Sequence, residues 1–166
     1  MRAELGREAF VERFGGIYEA SPWVAEAVWP AVEAGQLESR EALAAAMRAA
    51  VDGAGHDDKL TLIRAHPELA SRARMADASV REQSGAGLDQ CSAAEFEAFQ
   101  RLNGTYNARF GFPFIIAVKG LTRADILAAF EARLENDPQT EFAAAIAQIH
   151  RIAGFRLEDL MQTGPH

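Results

Sequence analysis

The chain has 166 residues, 49% of them hydrophobic, which is enough for one domain with a packed core and argues against disorder. Its formal net charge of -7 excludes a basic nucleic-acid footprint, and its basic residues are scattered rather than grouped in a block for an anionic membrane. A single cysteine, Cys91, excludes an internal disulfide and fits a reducing compartment.

The N-terminal stretch places a charge every few residues and carries no apolar leader core, and no apolar run approaches bilayer length. The expectation is a soluble, cytoplasmic protein. A first helix is predicted from about Glu4 to Phe14, with Phe10 and Phe14 on one face and Gly15-Gly16 ending it. Ser21-Pro22 reads as a capping hydroxyl followed by proline at the first helical position. Ser39 can cap a third, alanine-rich helix that stops near Gly53. Asp57 can cap a fourth, carrying Leu60, Leu62 and Ile63, which must end near His66 because Pro67 disfavours helical geometry in the residue before it. Pro67 can open a further short helix.

Ser79-Val80-Arg81-Glu82 and Ser92-Ala93-Ala94-Glu95 both have the spacing of capping boxes. The helix behind Ser92 aligns Phe96, Phe99, Asn103, Tyr106 and Phe110 on one stripe. Thr122 opens the next helix. Asp137-Pro138 caps and starts the last one. Only Phe112–Val118 could form a strand, and a lone strand has no partner. The pattern therefore predicts an all-α fold: a single compact domain spanning residues 1–166, with roughly eight or nine helices, no significant sheet and no internal repeat.

The four histidines form no metal-ligand spacing, and no phosphate loop or nucleophile elbow is present, so neither metal nor cofactor is expected. His66 extends the apolar face of Leu62 and Ile63, which suits either a packed histidine at a helix end or a general acid/base. The helix around Glu82 has one large hydrophobe, Val80. It either lies on the surface as a capping box or lines a cleft with Ser79, Glu82 and Gln83. Arg156 falls on the apolar stripe Phe142, Ile146, Ile149, Ala153 and Leu160. A guanidinium there needs an anionic or carbonyl partner, whether Glu82 or a ligand, unless Gly154 breaks the helix and spoils the phase. In the irregular run Phe110–Val118, backbone N–H groups are available to bind a ligand carbonyl.

These residues resemble the 2-oxo-4-hydroxy-4-carboxy-5-ureidoimidazoline (OHCU) decarboxylase family of urate catabolism. The resemblance rests on Ser21-Pro22-Trp23, His66-Pro67-Glu68-Leu69, Ser79-x-x-Glu82-Gln83 with Gly87-Leu88, Leu102-Asn103-x-x-Tyr106, Phe110 to Ile116, Lys119-Gly120 and Arg156-Leu157, in order along nearly the whole chain. It implies a cofactor-free, all-helical, homodimeric carboxy-lyase converting OHCU to (S)-allantoin and carbon dioxide. It assigns His66, Glu82 and Arg156 to catalysis, and Pro67, Ser79, Gln83 and the segment Ile115, Ile116, Ala117 and Val118 to substrate binding. The rival readings are a non-catalytic helical module for a small anion or protein partner, and a related lyase acting on another ureido heterocycle.

Overall fold

The computed structural model describes residues 3–70 and 77–163. Eight α-helices and two 3₁₀ turns, with no strand, make up the regular structure of these residues, so the all-α expectation holds. The helices are α1 (Arg7–Phe14), α2 (Trp23–Glu33), α3 (Arg40–Asp52), α4 (His56–Ala65), α5 (Asp77–Gly85), α6 (Ala93–Phe110), α7 (Arg123–Arg133) and α8 (Pro138–Thr163). Contacts group the chain into two units: residues up to Ala65 with those from His150 onward, and His66–Ile149. No helix among the described residues is long and apolar enough to cross a membrane.

The first unit is built on aromatic and aliphatic burial. Phe10 stacks on Phe14 at 4.7 Å between ring centroids and leans on Trp29 at 5.4 Å. Leu43, Met47 and Val51 from α3, and Leu62 and Ile63 from α4, are also buried. Side chains of this size each stabilise the fold by about 1.5–3 kcal/mol when withdrawn from water. In the second unit Phe114 and Phe130 stack at 3.9 Å, and Tyr106 meets both edge-on.

Several local predictions are met. The Ser39 hydroxyl accepts from Ala42 N–H at 3.0 Å, and complete capping boxes start α6 at Ser92 and α7 at Thr122. Asp137 accepts from Thr140 N–H at 2.9 Å ahead of α8, which runs through Gly154 without a break. α4 ends at Ala65, as Pro67 requires.

Other elements differ. The first helix begins at Arg7 behind a 3₁₀ turn, because Gly6 adopts φ 77° and interrupts the pattern. The Ser21 hydroxyl does not cap α2; it donates to the Glu19 carbonyl at 2.8 Å. α4 starts at His56, which puts Asp57 inside the first turn. The residues from Pro67 to Ala70 form a turn rather than a helix, and residues 71–76 lie outside the described part. Phe112–Val118 is coil. Its backbone groups turn to side chains instead of a ladder: Arg133 donates to the Ile115 carbonyl, and Ala117 N–H donates to Gln148 Oε1 at 2.9 Å.

Candidate functional site

α5 begins at Asp77, two residues before Ser79, so Ser79 and Glu82 are not a capping box. The orientation of the helix decides between the two sequence readings. Val80, its one large hydrophobe, is 45% exposed, while Ser79 and Gln83 are buried at 3% and 7% and Glu82 is half-buried. The helix is turned polar side in, the reverse of what apolar burial alone would choose. Arg123 anchors the loop after it, bonding the Gly87 carbonyl at 2.9 Å and Glu95 at 3.0 Å. Gly87 sits at φ 79°, a left-handed conformation that favours glycine, and an added Cβ would press on the end of the Arg123 side chain at 2.8 Å.

His66 is buried at the end of α4. The turn that follows it is held by the very helix the sequence picked out. Gln83 Oε1 accepts from Ala70 N–H at 3.0 Å, and Gln83 Nε2 donates to the Glu68 carbonyl at 3.3 Å. The side-chain amide of Gln83 therefore fastens the turn after His66, a role that sequence reasoning did not assign to it. Four residues beyond His66, Ala70 adopts φ 53°, a conformation that costs a non-glycine residue about 1–3 kcal/mol and persists only where its surroundings impose it.

The segment from Ile115 to Val118 lies buried or half-buried in the same unit. Gln148 occupies the Ala117 N–H and Arg133 the Ile115 carbonyl, while the N–H groups of Ile115, Ile116 and Val118 donate to no protein acceptor among the described residues. Arg133 also lies over the Phe114 ring at 4.4 Å and pairs with Glu141 at 2.7 Å. That carboxylate is fully buried, and Tyr106 and Asn136 donate to it at 2.6 and 2.9 Å. A buried carboxylate with this many donors is a satisfied structural ion, and it pins the Phe-Pro run.

Arg156 belongs to the first unit and is buried on the apolar face of α8, as its phase required. Its Nη2 lies 2.8 Å from Glu19 Oε2, and Nη1 donates to the Gly16 carbonyl at 3.2 Å. The partner is thus Glu19, a residue that sequence reasoning passed over. Glu19 stands in the loop before α2, where the Ser21 hydroxyl bonds its backbone carbonyl.

A second polar cluster was also missed. His150 Nε2 lies 2.9 Å from Asp52 Oδ1, and its Nδ1 lies 2.8 Å from the Tyr18 hydroxyl. An ionised carboxylate only accepts, so Nε2 carries the proton, and in the neutral imidazole Nδ1 accepts from Tyr18. Burial pushes the Tyr18 hydroxyl well above its ordinary value; nearby Arg48 opposes the shift and Asp52 adds to it. Tyr18 and His150 face a cleft of about 380 Å³ floored by Met47 and Leu157, which includes none of the residues the sequence named for the site.

Among the described residues no group of three or more His, Cys, Asp or Glu side chains is arranged to hold a metal ion. Cys91 is half-buried. Desolvation, then Glu95 and Asp89, push its thiol up against the opposing pull of Arg123, which disfavours the thiolate.

A family model described as OHCU decarboxylase matches residues 3–158. The chain is 46% identical over 155 residues to the OHCU decarboxylase of Haloferax volcanii, covering 93% of this chain and 90% of that one. It is 41% identical to the uric acid degradation bifunctional protein of Bacillus subtilis, covering 95% of this chain and 31% of that longer protein. Among solved structures it resembles an (S)-allantoin synthase with TM-score 0.78 and 36% identity, over 96% of this chain and 52% of the other. It also resembles an OHCU decarboxylase crystallised in the presence of (S)-allantoin, with TM-score 0.65 and 27% identity, over 75% of this chain and 82% of the other. The all-helical fold and these similarities define the class first: a carboxy-lyase. Within that class, the chain belongs to the OHCU decarboxylase family.

Proposed function

We propose that this chain converts OHCU to (S)-allantoin and carbon dioxide in urate degradation, without a bound cofactor, as a cytoplasmic homodimer. The observation that carries the site assignment is the inverted orientation of α5. Ser79 and Gln83 are buried, Val80 is exposed, and Gln83 bonds the turn that follows His66.

The chemistry needs only ordinary side chains. When the carboxylate leaves, the carbon–carbon electron pair passes into the adjacent C=N bond of the ring, which serves as the electron sink. The ring nitrogen that receives the displaced pair takes up a proton, the hydroxyl proton is lost as the ring carbonyl forms, and the carbon bearing the ureido group gains a proton. His66 moves these protons, because an imidazole titrates nearest to working pH. Glu82 orients or charge-balances His66, or binds the ureido nitrogens. Pro67, Ser79 and Gln83 line the substrate. The Ile115–Val118 backbone holds a ring or ureido carbonyl, through the N–H groups of Ile115, Ile116 and Val118, which no protein acceptor among the described residues takes. Arg156 stabilises an oxygen that gains negative charge, with Glu19 and Gly16 fixing its guanidinium. Proton delivery from one side gives one enantiomer.

The test is OHCU generated in situ from urate and followed to allantoin with native protein and with His66→Ala. Native protein is expected to accelerate the conversion, and the variant to abolish that acceleration with its helical circular dichroism intact. A variant that keeps the native rate removes His66 from proton transfer.

A further inference from the structure

We infer that Asn103 is a positioning residue for His66, acting through the Leu69 carbonyl as the centre of an amide ladder on α6; the inference rests on the proposed role of His66. Gln100, Asn103 and Asn107 are spaced three and four apart, so they share one face of the helix. Asn103 Nδ2 donates to the Leu69 carbonyl at 3.0 Å, Gln100 Nε2 to the Ala70 carbonyl at 3.3 Å, and Asn107 Nδ2 to Glu68 Oε2 at 2.7 Å. With Gln83 on the Glu68 carbonyl and the Ala70 N–H, side-chain amides take every carbonyl from Glu68 to Ala70.

The turn after His66 is therefore determined at each residue. Pro67 fixes its own φ. Ala70 is kept at φ 53° by Gln83 from one side of its peptide unit and Gln100 from the other. Asn103 fixes the peptide between them and is itself 97% buried, its residual exposure being 3%.

The second observation is the other end of the same amide. Leu69 offers a carbonyl, so Nδ2 must face it, which leaves Asn103 Oδ1 as a buried acceptor with no partner among the described residues. A buried acceptor without a donor destabilises the fold. An apolar side chain of the same shape would serve α6 better if stability were all that the position provided. What asparagine adds is the bond that sets the Leu69 carbonyl, and through it the chain direction at His66.

Asn103→Leu keeps the shape, removes the bond and removes the unpaired acceptor. Its Tm is expected to stay near native, its KM for OHCU to change by less than about threefold, and its kcat to fall about tenfold or more, since small displacements of a reacting group cost rate rather than binding. The imidazole resonances of His66 in nuclear magnetic resonance spectra are expected to shift. Native kcat with unshifted resonances overturns the inference, as does a loss of activity fully matched by loss of folded protein. Should Asn103→Leu fail to fold, Asn107→Ala at a half-buried position is read in the same way, with a loss of about threefold in kcat and the same resonance shift expected. His66→Ala run alongside separates the two ideas. If that variant is fully active, the site assignment fails. If it is inactive while Asn103→Leu is native in rate and spectrum, only the ladder fails.

Discussion

The Arg156 guanidinium lies 2.8 Å from the Glu19 carboxylate, and both side chains are buried. A buried pair of this kind is weak evidence for net stability, but breaking it leaves a lone charge away from water. Glu19→Ala is accordingly expected to destabilise the protein by about 3–5 kcal/mol, measured by urea unfolding. Arg156→Lys retains the charge but cannot hold Glu19 and the Gly16 carbonyl together in a planar fork, so it too is expected to lose stability. Unchanged midpoints for both variants would show that the pair holds nothing in place.

The orientation of α5 predicts a contrast within one helix. Val80→Lys, at an exposed position, is expected to change stability by no more than about 0.5 kcal/mol and to leave kcat unaltered. Gln83→Leu removes both bonds to the turn after His66 and is expected to lower kcat about tenfold or more. A Val80 variant as damaged as the Gln83 variant would mean that the helix is turned the other way.

Some helix ends were legible in the sequence from a cap or a proline, whereas Ser21 and Asp57, read as caps, cap nothing, and Pro67 opens no helix. Ser39, Ser92, Thr122 and Asp137 each bond the backbone their spacing predicts, and Pro67 stops α4. The phase of α8 put Arg156 on the buried face and so required a partner. The sequence could not say which partner, because Glu19 lies far away in the chain and its pairing depends on tertiary placement. α5 misled for the opposite reason. The Ser-x-x-Glu spacing satisfies a local rule, but the helix starts two residues earlier and buries its polar side. Asn103 read as part of a core stripe. Only the path of the turn over α6 shows that its amide meets a backbone carbonyl.

The Tyr106 hydroxyl donates to the fully buried Glu141 carboxylate at 2.6 Å. Tyr106→Phe loses a hydrogen bond to a charged group and is expected to cost about 1.5–3 kcal/mol by chemical denaturation. Glu141→Ala, which strands the half-buried Arg133, is expected to cost more, about 3–5 kcal/mol. If Tyr106→Phe proved the worse of the two, the Arg133–Glu141 pair would not be the anchor of the Phe-Pro run.

Burial raises the hydroxyl pKa of both Tyr18 and Tyr106 above the ordinary value of 10.0, with Glu141 adding to the rise at Tyr106. The folded protein thus keeps these protons while the unfolded chain releases its own near pH 10. The stability that the neutral hydroxyls contribute is complete below that pH and is lost as pH rises beyond it. Tm is expected to fall steeply above pH 10, with tyrosinate absorbance appearing together with unfolding rather than before it. Ionisation of the two tyrosines, Tyr18 and Tyr106, at the ordinary value in the folded state would contradict the burial of their hydroxyls.

The measurement closest to the central claim is the handedness of the allantoin formed from freshly generated OHCU. Circular dichroism during turnover by the purified protein is expected to show (S)-allantoin in excess, with the signal growing faster than spontaneous decay of the substrate. Racemic allantoin at the spontaneous rate would contradict the assignment of this chain as a stereoselective decarboxylase.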